Sequence, residues 1–289
     1  MKTLVIGGTG TVGSETVKSL LARGAAVRVM VRTAEKAASL PAGVEAALGD
    51  LRAPDSLSPV FEGVDSVFLL NALSQDETAQ GLAGVAAAQR AGVKKLVYLS
   101  VHRIEEGAHI PHFATKIPIE RAVKESGIAW TILRPNNFYQ NDLWFREAIV
   151  RYGVYPQPIG SAGISRVDVR DIAELAALAL TEPGHDGVLY SVAGPEALTG
   201  DGVAETYSRH LGRAVRYAGD DLEAFGAQAR NMLPDWLVHD LKIMYGHFQK
   251  HGLIATAEEV ATLERLLGHP PRRFDDFVAE LAPVWKAAA

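Results

Sequence analysis

Four glycines near the start of the chain have the spacing needed to bind a phosphate group. Gly8, Gly10 and Gly13 fit the pattern G-x-G-x-x-G, and they follow an apolar run that begins at Thr3. Glycine tolerates the positive φ of a tight turn, and without a Cβ atom it lets a pyrophosphate approach the backbone. The amides at the start of the next helix would then hold the phosphates. We expect a nucleotide to bind through Gly7, Thr9, Gly10, Thr11, Val12 and Gly13.

Arg32 follows the second predicted strand, residues 26–31, at the position where a dinucleotide site selects its cofactor. Many NAD sites place Asp or Glu there against the ribose 2′-hydroxyl, whereas a basic residue accommodates the 2′-phosphate of NADP. One charge-assisted hydrogen bond to that phosphate contributes roughly 1.5–3 kcal/mol. The residue type therefore predicts NADP(H) as the cofactor; the alternative interpretation is a solvated surface arginine.

Strands and helices alternate along the first half of the chain. Segments 44–48, 66–70, 95–100 and 129–133 are predicted as the third to sixth strands. Such alternation implies right-handed crossovers and a parallel sheet covered on both faces. Ligands of these sheets lie beyond the carboxyl ends of the strands. The further cofactor contacts that we predict there are Asp50, Leu51, Asn71, Ala72, Ser100, Pro135 and Asn136.

The alternation ends near residue 135, and later segments are mainly helical. We predict an α/β fold, with a doubly wound parallel sheet and a smaller, mostly helical C-terminal lobe. Residues 1–135 form the nucleotide-binding core, and segments at about 165–195 complete it. Residues 136–164 and 196–289 form the substrate-binding lobe.

Composition narrows the class of partner. The chain has 289 residues and a formal net charge of -5, so nothing draws its surface as a whole to nucleic acid or anionic lipid. It has no cysteine, which rules out disulfides and a cysteine nucleophile. We find no signal peptide and no apolar stretch of membrane-spanning length. We expect a cytoplasmic protein with a small-molecule substrate and no nucleic-acid or membrane partner. The sequence leaves the oligomeric state undetermined.

Longer motifs are spread over nearly the whole chain. They are GGTGTVG at 7–13, VMVR at 29–32, GD at 49–50, HFATKIPIE at 112–120, SGIAWTILRPNNFYQN at 126–141, VDVRDIA at 167–173 and GHPPRRFDDFV at 268–278. Together they resemble the NmrA-like family of atypical short-chain dehydrogenases. The resemblance implies a Rossmann domain that binds NADP(H), with a small C-terminal lobe that closes a substrate cleft. Family members include quinone and dye reductases, relatives of isoflavone reductases, and cofactor-binding redox sensors without known catalysis.

One departure from the family pattern bears on the chemistry. Short-chain dehydrogenases usually carry Tyr-x-x-x-Lys; Lys116 occupies the lysine position here, but His112 stands in place of the tyrosine. The resemblance to isoflavone-reductase-type enzymes implies that Lys116 is a proton donor. Alternatively, Lys116 holds the ribose while protons come from water or from His112. The simpler interpretations are a solvated helix lysine and a polar loop histidine.

Aromatic residues after the sixth strand are the candidates for substrate binding. Phe138, Tyr139 and Trp144 either line a flat aromatic pocket or fill the interface between the lobes. His102 is also a predicted substrate contact.

No metal site is predicted. His102, His109 and His112 lie in a loop without an obvious set of carboxylates. His247 and His251 have the i, i+4 spacing of a zinc-binding helix, but the glutamate of H-E-x-x-H is missing. We interpret this pair as helix surface.

These residues and the family resemblance lead to three functional hypotheses. The leading one is an NADPH-dependent oxidoreductase that reduces a quinone-like or otherwise conjugated small molecule, because a stabilised reduced anion needs little acid catalysis. The second is a non-catalytic NADP(H)-binding redox sensor. The third, a nucleotide-sugar epimerase or dehydratase, is weakened by the missing tyrosine.

Overall fold

A seven-stranded sheet organises the computed structural model, which describes residues 1 to 287. The strands of the described residues are β1 (Lys2–Ile6), β2 (Ala26–Val31), β3 (Glu45–Leu48), β4 (Ser66–Leu69), β5 (Lys95–Leu99), β6 (Ala129–Pro135), β7 (Val154–Tyr155), β8 (Val188–Val192) and β9 (Arg216–Tyr217). The order in the large sheet is β3-β2-β1-β4-β5-β6-β8. All neighbours from β3 to β6 run parallel. The predicted α/β class is confirmed.

Helices connect the strands and form most of the C-terminal part. The α-helices of the described residues are α1 (Thr11–Ala22), α2 (Ala34–Ala38), α3 (Ser58–Phe61), α4 (Glu77–Arg90), α5 (Pro111–Ala114), α6 (Lys116–Glu125), α7 (Arg146–Tyr152), α8 (Val169–Thr181), α9 (Gly200–Leu211), α10 (Leu222–Ala229), α11 (Asp235–His251), α12 (Ala257–Leu267) and α13 (Phe274–Ala287). Two 3₁₀ helices cover Pro54–Ser56 and Tyr139–Phe145. No helix within residues 1–287 is long and apolar enough to cross a membrane.

The chain divides into two compact units. The first unit contains Met1–Ile104, His112–Pro135 and Val169–Ser191, and the second contains Glu105–Pro111, Asn136–Asp168 and Val192–Ala289. The assignment of nucleotide binding to one unit and of substrate binding to the other stays a prediction.

The core of the first unit lies on the sheet. Leu4, Val5 and Ile6 of β1 are at most 2% exposed, and every residue of β4 is buried. Uninterrupted apolar runs are typical of parallel strands, because helices cover both faces. Pairs such as α1 with α8 and α4 with α6 are in contact. This packing fixes the carboxyl ends of the strands.

Aromatic rings form much of the core of the second unit. Tyr207 stacks on Trp285 with 5.6 Å between ring centroids, and it meets Phe274 edge-on at 5.8 Å. β7 and β9 pair in parallel as a separate small sheet. The remaining elements of this unit are helical, as predicted from the periodicity of the C-terminal part.

The predicted second to sixth strands are all present; the third, fourth and fifth differ from the prediction by one residue at one end, and the sixth differs by two. The second strand begins and ends as predicted. The sixth strand continues to Pro135, two residues beyond its predicted end at 133. The sixth strand is longer because the chain after β5 still pairs with β6: the His102 amide donates to the Pro135 carbonyl oxygen at 2.9 Å.

Candidate cofactor-binding and active site

The sheet has a topological switch point between β1 and β4. β2 and β3 lie on one side of β1, whereas β4, β5 and β6 lie on the other. Ligands of open parallel sheets bind beyond the carboxyl ends of the strands at such a point. Because Val5 pairs with Phe68, the residues that follow β1 and β4 lie side by side. The glycine turn and Asn71 therefore share one edge of the sheet.

The glycine turn joins β1 closely to α1. Gly7 has a φ of 82°, in the left-handed region that favours glycine. A Cβ atom on Gly13 would lie 2.1 Å from the carbonyl oxygen of Gly7. A larger residue would therefore force the helix away from the strand. The Gly10 amide donates to the Gly7 carbonyl oxygen at 2.9 Å and closes the turn.

The start of α1 has no side-chain cap. Gly10 occupies the N-cap position, and the first helical turn contains no acidic residue. The first amides of a helix lack partners within the helix and carry the positive end of its dipole. Thr9 and Thr11 are exposed there, whereas Val12 is buried. This end of the helix suits a negatively charged group such as a pyrophosphate.

Arg32 lies beside the glycine turn. Ile6 pairs with Met30, so the residues that follow β1 and β2 are neighbours. The Arg32 side chain is exposed, and it has no hydrogen-bond or ion-pair partner within residues 1–287. A planar guanidinium in this position is available to a phosphate.

Asn71 is a buried polar residue at the switch point. Its side chain is 6% exposed, and neither Nδ2 nor Oδ1 has a hydrogen-bond partner in the described part of the chain. An unsatisfied buried amide costs about 1–3 kcal/mol. Such groups are rare in folded proteins, and each needs an explanation. A ligand bound next to the exposed Ala72 would supply the missing partners.

The two predicted contacts after β3 differ in their surroundings. Asp50 is half-buried, and its Oδ1 accepts from the Arg52 amide at 2.9 Å. Leu51 is 5% exposed and belongs to the apolar core. The Leu51 side chain packs inside the first unit, and the cofactor contact at Leu51 stays a prediction.

Lys116 forms an ion pair that the sequence did not predict. Its Nζ donates to Oε1 of Glu77, whose side chain is fully buried at the start of α4. Thr115 Oγ1 donates to the other carboxylate oxygen at 2.9 Å. Thr78 Oγ1 donates to the Thr115 carbonyl oxygen at 2.8 Å and adds another bond between α4 and the start of α6. The Lys116 side chain is 13% exposed, so its ammonium group is held in place near the surface.

Tyr98 does not replace the missing tyrosine of the family pattern. Its side chain is fully buried in β5, and its hydroxyl has no hydrogen-bond partner within residues 1–287. Burial raises the pKa of Tyr98 well above its usual value, and the carboxylates of Glu77 and Glu120 raise it further. A phenol with such a pKa is a poor acid at neutral pH.

Ser100 belongs to a buried network on α6. Its hydroxyl donates to Glu120 Oε1 at 2.6 Å, and Arg134 donates to both carboxylate oxygens at 2.8 Å. Burial alone would raise the pKa of Glu120, but hydrogen bonds from Arg134 and Ser100 outweigh this effect and lower it. The Ser100 hydroxyl thus already donates its hydrogen bond within the protein. The sequence predicted a cofactor contact at Ser100 but not this bond to Glu120.

The two predicted active-site histidines have different environments. His112 is half-buried in α5, with its ring edge-on to Phe113 at 4.8 Å. His102 is 1% exposed, and its amide donates to the carbonyl oxygen of Pro135 at 2.9 Å. His112 is therefore the more accessible of the two.

The predicted contacts in the second unit separate into buried and accessible residues. Asn136 donates to the Leu253 carbonyl oxygen at 2.8 Å, and its Oδ1 accepts from the next amide in the chain. Tyr139 is completely buried, and its hydroxyl donates to the Arg272 carbonyl oxygen at 3.1 Å. The substrate contact predicted for Tyr139 is therefore wrong, because its ring fills the core. Phe138 is half-buried and Trp144 is 73% exposed, so both remain candidates.

The sheet order, the glycine turn and the bare helix N-terminus are those of a Rossmann-type dinucleotide-binding fold. The chain belongs to the NmrA-like family, whose model matches residues 1–277.

Similar proteins include several reductases. The chain is 36% identical over 287 residues to an NAD(P)H azoreductase from Xenophilus azovorans, covering 99% of each chain. It is 36% identical over 283 residues to a (4-alkanoyl-5-oxo-2,5-dihydrofuran-3-yl)methyl phosphate reductase from Streptomyces griseus, covering 96% of this chain and 97% of the other. An NADPH complex of an NADPH-dependent quinone oxidoreductase from Escherichia coli superimposes with a TM-score of 0.86 at 27% identity, covering 96% of this chain and 99% of that one.

Glu77 and Glu120 were not found from the sequence. Glu77 follows Asp76 at the start of a helix, where acidic residues are common because they favour the helix dipole. Glu120 lies on an amphipathic helix between charged neighbours and resembles a surface residue. Only the packing of α4 and α6 shows that both carboxylates are buried.

Proposed function

We propose that this chain is an NADPH-dependent oxidoreductase that reduces quinone-like or other conjugated small molecules. The observation that carries the proposal is the 36% identity to an azoreductase along 99% of the chain. These relatives are named for the reduction of an azo group, a quinone or an unsaturated oxo ring. Each of these groups is a conjugated hydride acceptor. This shared chemistry supports a substrate class rather than a single substrate.

The first unit supplies the residues that we assign to the cofactor. The amides at the start of α1 and the backbone of the glycine turn bind the pyrophosphate, and Arg32 binds the 2′-phosphate. Asn71 gains the hydrogen-bond partners that it lacks among the described residues. NADPH supplies a hydride when it is bound. The protein binds and orients the reactants and excludes water.

Lys116 has two proposed roles. In the first, its ammonium group, which Glu77 holds in place, donates a proton to the reduced substrate. In the second, it binds the ribose, and protons come from water or from His112. Either role agrees with a conjugated acceptor, because delocalisation stabilises the reduced anion before it is protonated. Phe138 and Trp144 are the proposed aromatic contacts of the substrate.

The experiment that tests this proposal is a screen of NADPH oxidation. Purified protein is mixed with NADPH and with a panel of quinones, azo dyes and enones, and the loss of cofactor and the reduced product are both measured. We expect turnover with at least one class. Tight NADPH binding without any turnover at high enzyme concentration would contradict the reductase and favour the redox sensor. Conversion of a nucleotide sugar would favour the epimerase instead.

Arg32→Ala tests the choice of cofactor. Loss of one charge-assisted bond to the 2′-phosphate weakens NADPH binding by roughly ten- to a hundred-fold, whereas NADH binding stays unchanged. Arg90→Ala removes another exposed arginine of the first unit and serves as the control. An unchanged ratio of the two affinities in Arg32→Ala would contradict the assignment.

Two further properties stay predictions. Cell fractionation tests the cytoplasmic location, and sedimentation analysis determines the oligomeric state.

A further inference from the structure

Three histidine side chains come together in the second unit. His109 belongs to the segment Glu105–Pro111, and His247 and His251 belong to α11. The ring centroids of His109 and His247 are 4.9 Å apart, and those of His247 and His251 are 4.8 Å apart. We call these three residues the histidine cluster. None of them is assigned to the cofactor or the substrate.

His247 is the central member of the cluster and has an unmet hydrogen-bonding group. Its Nδ1 atom is buried and has no hydrogen-bond partner within residues 1–287. A buried ring nitrogen without a partner needs an explanation, and an unseen ion is one of the usual ones. Residues four apart lie on the same face of a helix, and two histidines with this spacing form the zinc-binding pair of known helical sites.

The ring separations agree with shared coordination. With a metal–nitrogen distance of about 2.0–2.1 Å, the centroids of two imidazoles on one tetrahedral ion lie roughly 5 Å apart. The distances on both sides of His247 are close to this value. In the structure, the ring nitrogens of the three histidines do not all lie within 4.8 Å of one another. Coordination of one ion therefore requires rotation of the His109 and His251 side chains, both of which are exposed.

We propose that the histidine cluster binds a first-row divalent metal ion such as Zn²⁺. Neutral imidazole suits Zn, Ni and Cu ions. The neutral ring is the form that coordinates a metal. A bound ion would link the segment Glu105–Pro111 to α11, which gives the site a structural role independent of the proposed reductase activity.

The test is a Zn²⁺ titration of the full chain, purified without a histidine tag and first dialysed against a chelator. Calorimetry or competition with a chromophoric chelator measures the affinity and the stoichiometry. We expect one Zn²⁺ per chain, and His247→Ala and His251→Ala to weaken binding by at least about 10-fold, since loss of even an outer-shell partner commonly costs 10–100-fold. His239→Ala removes an exposed histidine of the same helix and leaves the affinity unchanged.

A second readout guards against misfolded variants. Circular dichroism reports folding, and His109→Ala and His251→Ala change exposed residues, so both are expected to stay folded. Co²⁺ bound by three imidazoles gives visible absorption bands that disappear in the same variants. Absence of Zn²⁺ binding, or equal affinity in wild type, His251→Ala and His239→Ala, would overturn the site. NADPH binding and turnover are measured separately, so this failure leaves the proposed reductase untouched.

Discussion

Two sets of polar residues differ in how completely they are paired. In the first unit, the amide of Asn71 is buried without a partner in the described residues, and the start of α1 has no side-chain cap. In the second unit, Arg166 and Asp142 are fully buried, yet both have several hydrogen-bond partners. The first set therefore has hydrogen-bond donors and acceptors without partners. The donors and acceptors of the second set form hydrogen bonds within the protein.

Arg166 shows what complete pairing achieves. It donates to Asn137 Oδ1 at 3.0 Å, to the Phe138 carbonyl oxygen at 2.7 Å and to Asp142 Oδ1 at 2.7 Å. Tyr207 donates to Asp142 at 2.9 Å. Burial alone would lower the pKa of Arg166, but the charge of Asp142 outweighs it, and the pKa is raised. This network holds the chain around Phe138 in one conformation.

The difference separates a structural role from a ligand-binding role. Polar atoms that find partners inside the protein stabilise the fold, and their removal lowers stability. Polar atoms that lack partners are available to a ligand, and their removal changes binding more than stability. Substitutions that alter one property without the other test this distinction.

Arg166→Met has the largest expected effect. It leaves the charge of Asp142 buried and uncompensated, which lowers the free energy of unfolding by about 3–5 kcal/mol. Urea denaturation measures the change. Arg151→Met breaks the exposed pair with Glu147 and changes stability by less than about 1 kcal/mol. The double variant Asp142→Leu, Arg166→Met recovers part of the loss, and a loss as large as that of the single variant would contradict this explanation.

Glu77→Gln tests the pair that holds Lys116. The loss of a charged hydrogen bond, roughly 1.5–3 kcal/mol, lowers kcat/KM for NADPH oxidation by about ten- to a hundred-fold. If Lys116 donates a proton, kcat falls while the NADPH Kd stays constant; if it binds the ribose, the Kd rises. Thr78→Val removes a neighbouring structural hydrogen bond and leaves both values unchanged. Equal kinetics for Glu77→Gln and wild type would show that the ion pair has no part in the reaction.

Asn71→Leu and Asn136→Leu make the same chemical change in the two settings. Asn136→Leu loses two hydrogen bonds, which lowers the free energy of unfolding by about 1–3 kcal/mol, whereas Asn71→Leu removes a buried amide that has no partner among the described residues, so the stability of that variant is equal to that of wild type or higher. The NADPH Kd of Asn71→Leu rises about 10-fold. Thermal unfolding and fluorescence titration measure the two properties. A drop in stability without a change in affinity for Asn71→Leu would assign its amide to the fold.

The sequence predicted those parts of the molecule that depend on local patterns. The glycine turn, the strand before it and the helix after it follow from residue types that are adjacent in the chain. The position of Asn71 followed from the rule that ligands bind beyond the carboxyl ends of parallel strands. Its lack of partners is a property of packing, which the sequence does not contain.

Long-range pairing and burial account for what the sequence missed. Glu77 meets Lys116 across 39 residues, and Asp142 meets Arg166 across 24, and one sequence gives no signal for either pair. Tyr139 looked like a pocket residue because apolar pocket walls and cores have the same composition. Its complete burial depends on Phe274 and Arg272, more than 130 residues later.

The smallest expected effect is a change in the pH dependence of stability, and Glu120→Gln tests it. Glu120 is a paired carboxylate of the first unit, and we expect it to contribute to the fold rather than to ligand binding. The pKa of Glu120 is lowered in the folded protein from 4.5, because hydrogen bonds from Arg134 and Ser100 outweigh burial. Its contribution to stability is therefore present above pH 4.5 and is lost as the pH falls below that value. One proton taken up on unfolding changes stability by about 1.4 kcal/mol per pH unit. Urea denaturation from pH 6 to pH 3 should give a slope that is shallower in Glu120→Gln by a fraction of this amount, and unchanged in the exposed control Glu147→Gln. Identical slopes for Glu120→Gln and wild type would mean that the carboxylate does not contribute through its charge.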